Sequence, residues 1–327
     1  MTALGGSVRR VSGQRLRRWP RRGSAAAALP LVLLPVLFLA GGCRRAEDPV
    51  ARLEVTPARL RLAYPEVRDL HLAWELAAPL GEGCFRPIVF VHLLDAKGRV
   101  VRTFDHPFPE NWTPGVAVDY DVEIYQSALG PALPAGTYPL TVGLYQAGGD
   151  RRWPLEVAAI AGVDRGRREY AVGTVEVPEP AAGRPRFDFL GDWAVVVAGA
   201  DSQVLAYRWL QGQGSIAVAD PPGPGRVQLA LDLPGSADPS TLLVLTGDAQ
   251  TATVLVTTSC GDAMACVSGA GRHWVEVPIG AAAAGATGAC EVKLTPSFYL
   301  VTTGSPVRRA ATLEVLGWRP DDGGSGG

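Results

Sequence analysis

Short apolar segments, broken about every 8–12 residues by turn-forming residues, constrain the fold of this chain more than any other feature. In one such segment Leu70, Leu72 and Trp74 alternate with polar or small residues, a period of two that indicates a half-buried β-strand. The 39 glycines and 27 prolines are about a fifth of the 327 residues. That share suits turn-rich sheets and excludes a helical bundle, so the sequence predicts an all-β protein.

The first half, residues 52–178, is expected to form an immunoglobulin-like β-sandwich. Residues 88–94 are apolar on both faces, which predicts a central strand, and residues 95–98 form a turn that leads into a returning strand. Residues 118–125 alternate like the first segment. Several short strands with turns between them and no helical periodicity are typical of a sandwich.

The second half, residues 187–320, is expected to form a jelly-roll-like β-sandwich behind a proline-rich linker at 179–186. Residues 321–327 are expected to be a disordered tail. The candidate strands of this half are 193–197, 215–218, 226–231, 242–245, 252–257, 273–277, 291–294 and 312–318.

The N-terminus has the pattern of an export signal. Seven arginines and no acidic residue precede the apolar run 25–40, which is too short for a stable membrane span. The stretch Leu39-Ala-Gly-Gly-Cys43 then resembles a bacterial lipobox, in which the cysteine is lipidated and becomes the new N-terminus. We therefore expect a signal peptide at 1–43 and a tether at 44–51. The alternative is a plain secretory signal.

A lipidated Cys43 would place the protein in the cell envelope. Arg44 follows the cysteine where an aspartate would retain a lipoprotein at the inner membrane, so the expected site is the outer membrane.

Without residues 1–43 the chain has 24 basic and 32 acidic side chains, a net charge of −8. This charge argues against a nucleic-acid partner. It also predicts that membrane attachment depends on acyl chains rather than basic patches.

Several stretches resemble two modules that occur together in bacterial envelope proteins. The stretches are 87–95, 112–115, 133–138, 142–145, 207–209, 274–278 and 313–318. They are similar to immunoglobulin-like and jelly-roll modules that are appended to bacterial membrane glycosyltransferases and found in uncharacterised envelope proteins. The multi-spanning catalytic part of those transferases has no counterpart here. The resemblance therefore implies an architecture and not an enzyme.

Cysteine pairing is expected in an oxidising envelope. Cys260 and Cys266 stand at the two ends of a short loop between candidate strands, which would bring them close to disulfide geometry. Pairing of Cys266 with Cys290 is the alternative. Cys84 has no partner in its own half.

Four residues are candidates for ligand contact. Trp112, Tyr207 and Trp209 are interpreted as loop aromatics, whose exposed rings could stack on sugars, although tryptophans in sandwiches more often fill cores. His106 lies in a loop beside Asp105. These residues make a carbohydrate-binding accessory protein the first alternative to our main interpretation, which is a non-catalytic binding or structural module of the envelope.

Other polar groups are interpreted as structural. His92 shares a strand face with apolar residues and is expected to be a hydrogen-bonded core histidine. Asp119, Asp121 and Glu123 could bind calcium, but a solvated sheet face is the preferred interpretation. The sequence has no metal-ligand spacing and no nucleophile or phosphate-loop motif. We therefore expect neither a metal nor a cofactor, and a hydrolase of unrecognised type is the least favoured alternative.

Overall fold

The computed structural model describes residues 47–81, 86–157, 167–181, 183–198, 206–235, 241–280, 289–305 and 307–321. In these ranges the chain forms β-strands and no helix, which confirms the all-β class. No helix within them is long and apolar enough to cross a membrane. The expected signal peptide with Cys43, residue Cys84 and the expected tail beyond Asp321 lie outside the described residues.

The first β-sandwich packs two sheets over a shared apolar core. One sheet has the strand order β7-β3-β1-β9, and the other has the order β2-β10-β8-β4-β5 with β6 paired to β4. Its strands are β1 (Ala51–Thr56), β2 (Arg59–Arg61), β3 (Val67–Leu76), β4 (Pro87–Leu94), β5 (Val100–Thr103), β6 (His106–Pro107), β7 (Ala117–Tyr125), β8 (Gly136–Gln146), β9 (Leu155–Val157) and β10 (Tyr170–Val177).

The burial of β3 and β4 follows the sequence pattern. On β3 the side chains of Leu70, Leu72 and Trp74 are buried in the core, as the alternation predicts. The central position predicted for β4 is also confirmed, because this strand lies between β8 and β5. Its apolar residues are buried on both faces, with Val91 in the core and Phe90 on the opposite side. Each fully buried large apolar side chain stabilises the fold by about 1.5–3 kcal/mol.

The second β-sandwich is built around one long strand. The first part of β13 pairs with β22, and its last part pairs with β11 and β19. This one strand therefore connects two sets of strands in the second half of the chain. The strands are β11 (Arg186–Trp193), β12 (Val197–Ala198), β13 (Ala206–Ala219), β14 (Gly225–Leu233), β15 (Thr241–Leu245), β16 (Thr253–Thr258), β17 (Met264–Ser268), β18 (Gly271–Ile279), β19 (Cys290–Pro296), β20 (Phe298–Thr302), β21 (Arg308–Arg309) and β22 (Thr312–Pro320).

The two sandwiches are joined by backbone and side-chain contacts, and Glu47–Gly327 forms one compact unit. Trp318 N on β22 donates to Pro65 O at 2.7 Å, and Ala128 N donates to Leu316 O at 2.7 Å. Arg319 forms a two-point ion pair with Asp69 of β3, at 2.7 and 2.9 Å. We call this contact between β22 and the first sandwich the junction.

The disulfide differs from both pairings expected from the sequence. Cys260 bonds to Cys290, with their Cα atoms 5.6 Å apart, and Cys266 is free and exposed. The strand register explains the error. Thr258 lies opposite Val292 in the β16–β19 pair, so Cys260 comes to lie beside Cys290. Cys266 lies opposite Leu255, beyond the reach of Cys260.

Candidate functional site

A groove of about 200 Å³ opens beside the junction, between β6 and β7 of the first sandwich and β18 of the second. We call it the junction groove. Its walls combine aromatic rings, three carboxylates and one guanidinium. The lining residues are Phe104, Asp105, His106, Pro109, Tyr120, Asp121, Val122, Glu123, Tyr125, Arg272 and Trp274.

His106, one of the four candidates from the sequence, lies on the short strand β6 and not in a loop as expected, because it pairs with Val89 of β4. It lines this groove and fixes a neighbouring tyrosine. Its Nδ1 lies 2.9 Å from Phe104 O, and its Nε2 lies 2.9 Å from the Tyr120 hydroxyl. Burial lowers the pKa of His106, which favours the neutral ring. A carbonyl oxygen can only accept, so Nδ1 carries the proton and Nε2 accepts from Tyr120. The ring therefore holds Tyr120 in place at the groove wall.

Arg272 supplies the positive charge of the groove from the second sandwich. Its Nη2 donates to the Tyr125 hydroxyl at 3.1 Å, and its Nε lies 3.2 Å from a Glu314 carboxylate oxygen. The guanidinium also stacks on the ring of Trp274, 5.6 Å from its centroid. Burial by itself lowers the pKa of Arg272, but Tyr125 and Glu314 outweigh it, so the pKa is raised. A charged donor is thus held rigidly beside an indole.

Two of the three carboxylates of the groove, Asp121 and Glu123, come from one face of β7. Burial raises the pKa of Glu123 above its usual range. Asp121 lies at the rim, where its Oδ1 is 2.9 Å from His71 Nδ1. Asp119, the third carboxylate of this face, is exposed and does not line the groove. Among the residues that the structure describes, no group of three or more potential ligands is placed to hold a metal ion.

Three aromatic side chains besides Phe104 line the junction groove. The rings of Tyr120 and Trp274 are half-buried, whereas Tyr125 is buried, with its ring 5.8 Å from the centroid of Trp274. Aromatic rings can stack on the apolar face of a ligand ring. A carboxylate and a guanidinium beside them can hydrogen-bond to hydroxyl groups at the edge of that ligand ring. The sequence does not indicate Trp274 as a candidate for ligand contact, because this residue lies within a predicted strand and not in a predicted loop.

Trp112 lies in a loop, as the sequence predicts, but its indole packs into the first sandwich. Its Nε1 donates to Ala78 O at 2.9 Å. Its ring lies 5.0 Å from the centroid of Phe108 and 6.4 Å from that of Trp74. These contacts hold one face and the polar edge of the indole.

Tyr207 and Trp209 lie on β13 and not in a loop, because residues 206–210 pair with neighbouring strands. Their half-buried rings meet edge to face at 6.2 Å. Arg309 lies over the ring of Trp209, 5.0 Å from its centroid. Both aromatics lie outside the junction groove.

The strand predicted over 193–197 is also wrong, since β11 ends at Trp193 and β12 begins at Val197.

His92 is the centre of a polar cluster on the outer face of β4, where its ring stacks on Phe90 at 4.7 Å. Its Nε2 lies 3.3 Å from Asp105 Oδ1, and its Nδ1 lies 3.5 Å from Glu169 Oε1. Thr141 Oγ1 donates to Glu169 at 2.7 Å. Both ring nitrogens therefore face carboxylates, which is consistent with the structural role expected for this histidine.

Comparisons with known proteins add no function. No protein-family model and no curated protein matches the chain. Among the solved structures that match the chain, two align with most of it. E. coli alpha-2-macroglobulin in its native conformation is 13% identical over 84% of this chain and 14% of its own, with a TM-score of 0.21. A variant of Salmonella alpha-2-macroglobulin is 14% identical over 85% of this chain and 15% of its own, also with a TM-score of 0.21. The chain spans about one seventh of their length, and we infer nothing from scores this low.

Proposed function

We propose that this protein is a non-catalytic binding module of the cell envelope and that the junction groove binds a carbohydrate. The observation that carries the proposal is the groove itself, which is lined by the half-buried rings of Tyr120 and Trp274 together with Arg272 and Glu123. Sugars present apolar ring faces and hydroxyl edges, and these match stacking surfaces and charged hydrogen-bonding groups. The volume of about 200 Å³ is below that of pockets for drug-sized ligands, so one sugar ring would occupy it.

Binding should therefore depend on Trp274. We expect residues 47–327, which form one compact unit, to bind a subset of glycans on an array. Trp274→Ala should weaken that binding at least tenfold in titration calorimetry, because it removes both a stacking face and the support of Arg272. Glu123→Gln should weaken it less, since the amide still hydrogen-bonds.

Trp209→Ala is the matched control, because Trp209 is equally aromatic and half-buried but lies outside the groove. It should leave glycan binding unchanged. Absence of binding to any glycan would refute the proposal. Loss of binding in Trp209→Ala with retention in Trp274→Ala would place the sugar site on β13 instead. The melting temperature of each variant shows whether it is folded.

We also propose that Cys43 anchors the protein to the outer membrane through acyl chains. The support is the arginine-rich segment, the apolar run 25–40 and the small residues before Cys43. Intact mass spectrometry of the membrane fraction should show a chain that begins at a lipidated Cys43. Cleavage elsewhere or an unmodified Cys43 would contradict the anchor without affecting the proposal for the groove.

A further inference from the structure

The small sheet of β15, β20 and β21 carries an unusual concentration of exposed apolar side chains. Of twelve large apolar residues exposed in the described part of the chain, eight lie on this sheet, directly before its strand β21, or on segment 194–198. These eight are Val195, Val196, Val197, Leu242, Leu243, Leu245, Val301 and Val307. Clustering of this kind on a folded surface usually marks a site of interaction.

The strand pairing brings part of this cluster together on one face of the small sheet. Leu242 lies opposite Val301, and Val301 lies opposite Arg308. Residues directly opposite each other share a face of the sheet, as do residues two apart on one strand, so Tyr299 lies on this face as well. We call the surface formed by Leu242, Tyr299, Val301 and Arg308 the arginine–aliphatic patch.

The charge of the patch is opposite to that of the rest of the chain. Arg308 is exposed and stacks on the ring of Tyr299 at 4.6 Å, and the adjacent Arg309 is exposed as well. None of the residues at 241–245, 298–302 and 307–309, in and next to the small sheet, is acidic. The patch is therefore basic, although the chain after residue 43 has a net charge of −8.

We infer that the arginine–aliphatic patch binds the surface of a bilayer that contains anionic lipids. Exposed aliphatic side chains can enter the boundary between headgroups and acyl chains, and tyrosine and tryptophan are favoured at that depth. Arginines at the edge reach the headgroup phosphates while their stems stay in apolar surroundings. This inference goes beyond the proposed carbohydrate site. It differs from the expectation that attachment depends on acyl chains rather than basic patches.

The first test uses residues 47–327, which lack Cys43, so that acyl chains cannot contribute. The unit should float with vesicles of phosphatidylcholine that contain about a quarter phosphatidylglycerol, and much less with phosphatidylcholine alone. Added salt should weaken the binding because it screens the arginines. Equal binding to both vesicles, or to neither, would overturn the inference.

Variants locate the surface. The double change Arg308→Gln and Arg309→Gln should reduce vesicle binding by about twentyfold, since each basic residue near an anionic surface contributes about fivefold. Leu242→Ser should reduce it by tenfold or more. The matched controls are Arg59→Gln with Arg61→Gln, a pair of exposed arginines on β2, and Val100→Ser, an exposed valine of the first sandwich. These controls should bind as the wild type does, and an equal loss in them would contradict the assignment.

A dimer that depends on concentration, is lost in Leu242→Ser and does not bind vesicles would show that a second copy, and not a membrane, covers the surface.

Discussion

Replacing Gly317 by valine is expected to lower the free energy of unfolding by about 3 kcal/mol. Gly317 lies on β22 at the junction, where a Cβ atom would be 2.5 Å from Val67 Cγ2 and 3.4 Å from Pro65 O. Val67 is fully buried, and Pro65 O accepts the Trp318 hydrogen bond. Val67 cannot move away without opening the core, and Pro65 O cannot move away without breaking that hydrogen bond. The added side chain must therefore push the two sandwiches apart.

Guanidinium unfolding followed by tryptophan fluorescence measures this change. Gly223→Ala is the control, because a Cβ at Gly223 meets no atom within 4 Å. It should change stability by less than about 0.5 kcal/mol. The junction groove depends on the same contact, so Gly317→Val should also lose glycan binding under conditions where it is still folded. Stability equal to that of Gly223→Ala would show that the junction is not packed as described.

The strands that could be predicted from the sequence are those whose burial alternates locally. Every second residue of β3 enters the core, and β4 has apolar residues on both faces because it lies in the middle of its sheet. This information is contained in a few neighbouring residues. The long strand β13 could be predicted only in part, at 215–218. Its first section pairs with β22, about a hundred residues further along the chain, and carries polar and aromatic side chains.

The candidate site could not be predicted because it forms between distant parts of the chain. His106 could be proposed from its position beside Asp105, although it lies on β6 and not in a loop. Its partner Tyr120 and the opposing Arg272 and Trp274 come together with it only when the sandwiches meet. Trp274 resembles a core residue in sequence since it lies on a strand. The disulfide depends equally on long-range pairing. The β16–β19 register decides that Cys260 bonds to Cys290, and no local spacing encodes that register.

The second large effect concerns His92, whose replacement by glutamine is expected to lower the free energy of unfolding by about 3 kcal/mol near pH 6. The side chains of His92, Asp105 and Glu169 are only 12–22% exposed. Glutamine is neutral, so it would leave two half-buried carboxylates without the imidazolium between them. Removing one partner of a buried ion pair costs more than the pair contributes, because the remaining charge stays desolvated.

The pH dependence of this effect has a defined sign. Burial lowers the pKa of His92, but hydrogen bonds to Asp105 and Glu169 outweigh it and raise the pKa above 6.5. The stabilisation is therefore complete below pH 6.5 and is lost as the pH rises through the folded-state value. The hydrogen bond from His92 is the main cause that lowers the pKa of Glu169 from 4.5 to about 2. Its stabilisation is present above pH 4.5 and is lost as the pH falls towards 2.

The stability difference between wild type and His92→Gln should thus be largest between about pH 4.5 and 6.5 and should decrease on both sides. Taking the difference removes the contribution of His106, whose pKa is lowered by burial and which therefore destabilises the fold as the pH falls. Denaturant unfolding at a series of pH values measures the profile. His71→Gln is the matched control, since His71 and Asp121 form an exposed ion pair, and it should change stability by less than about 1 kcal/mol. A difference that is constant from pH 4 to pH 9 would mean that His92 acts through packing against Phe90 and not through its charge.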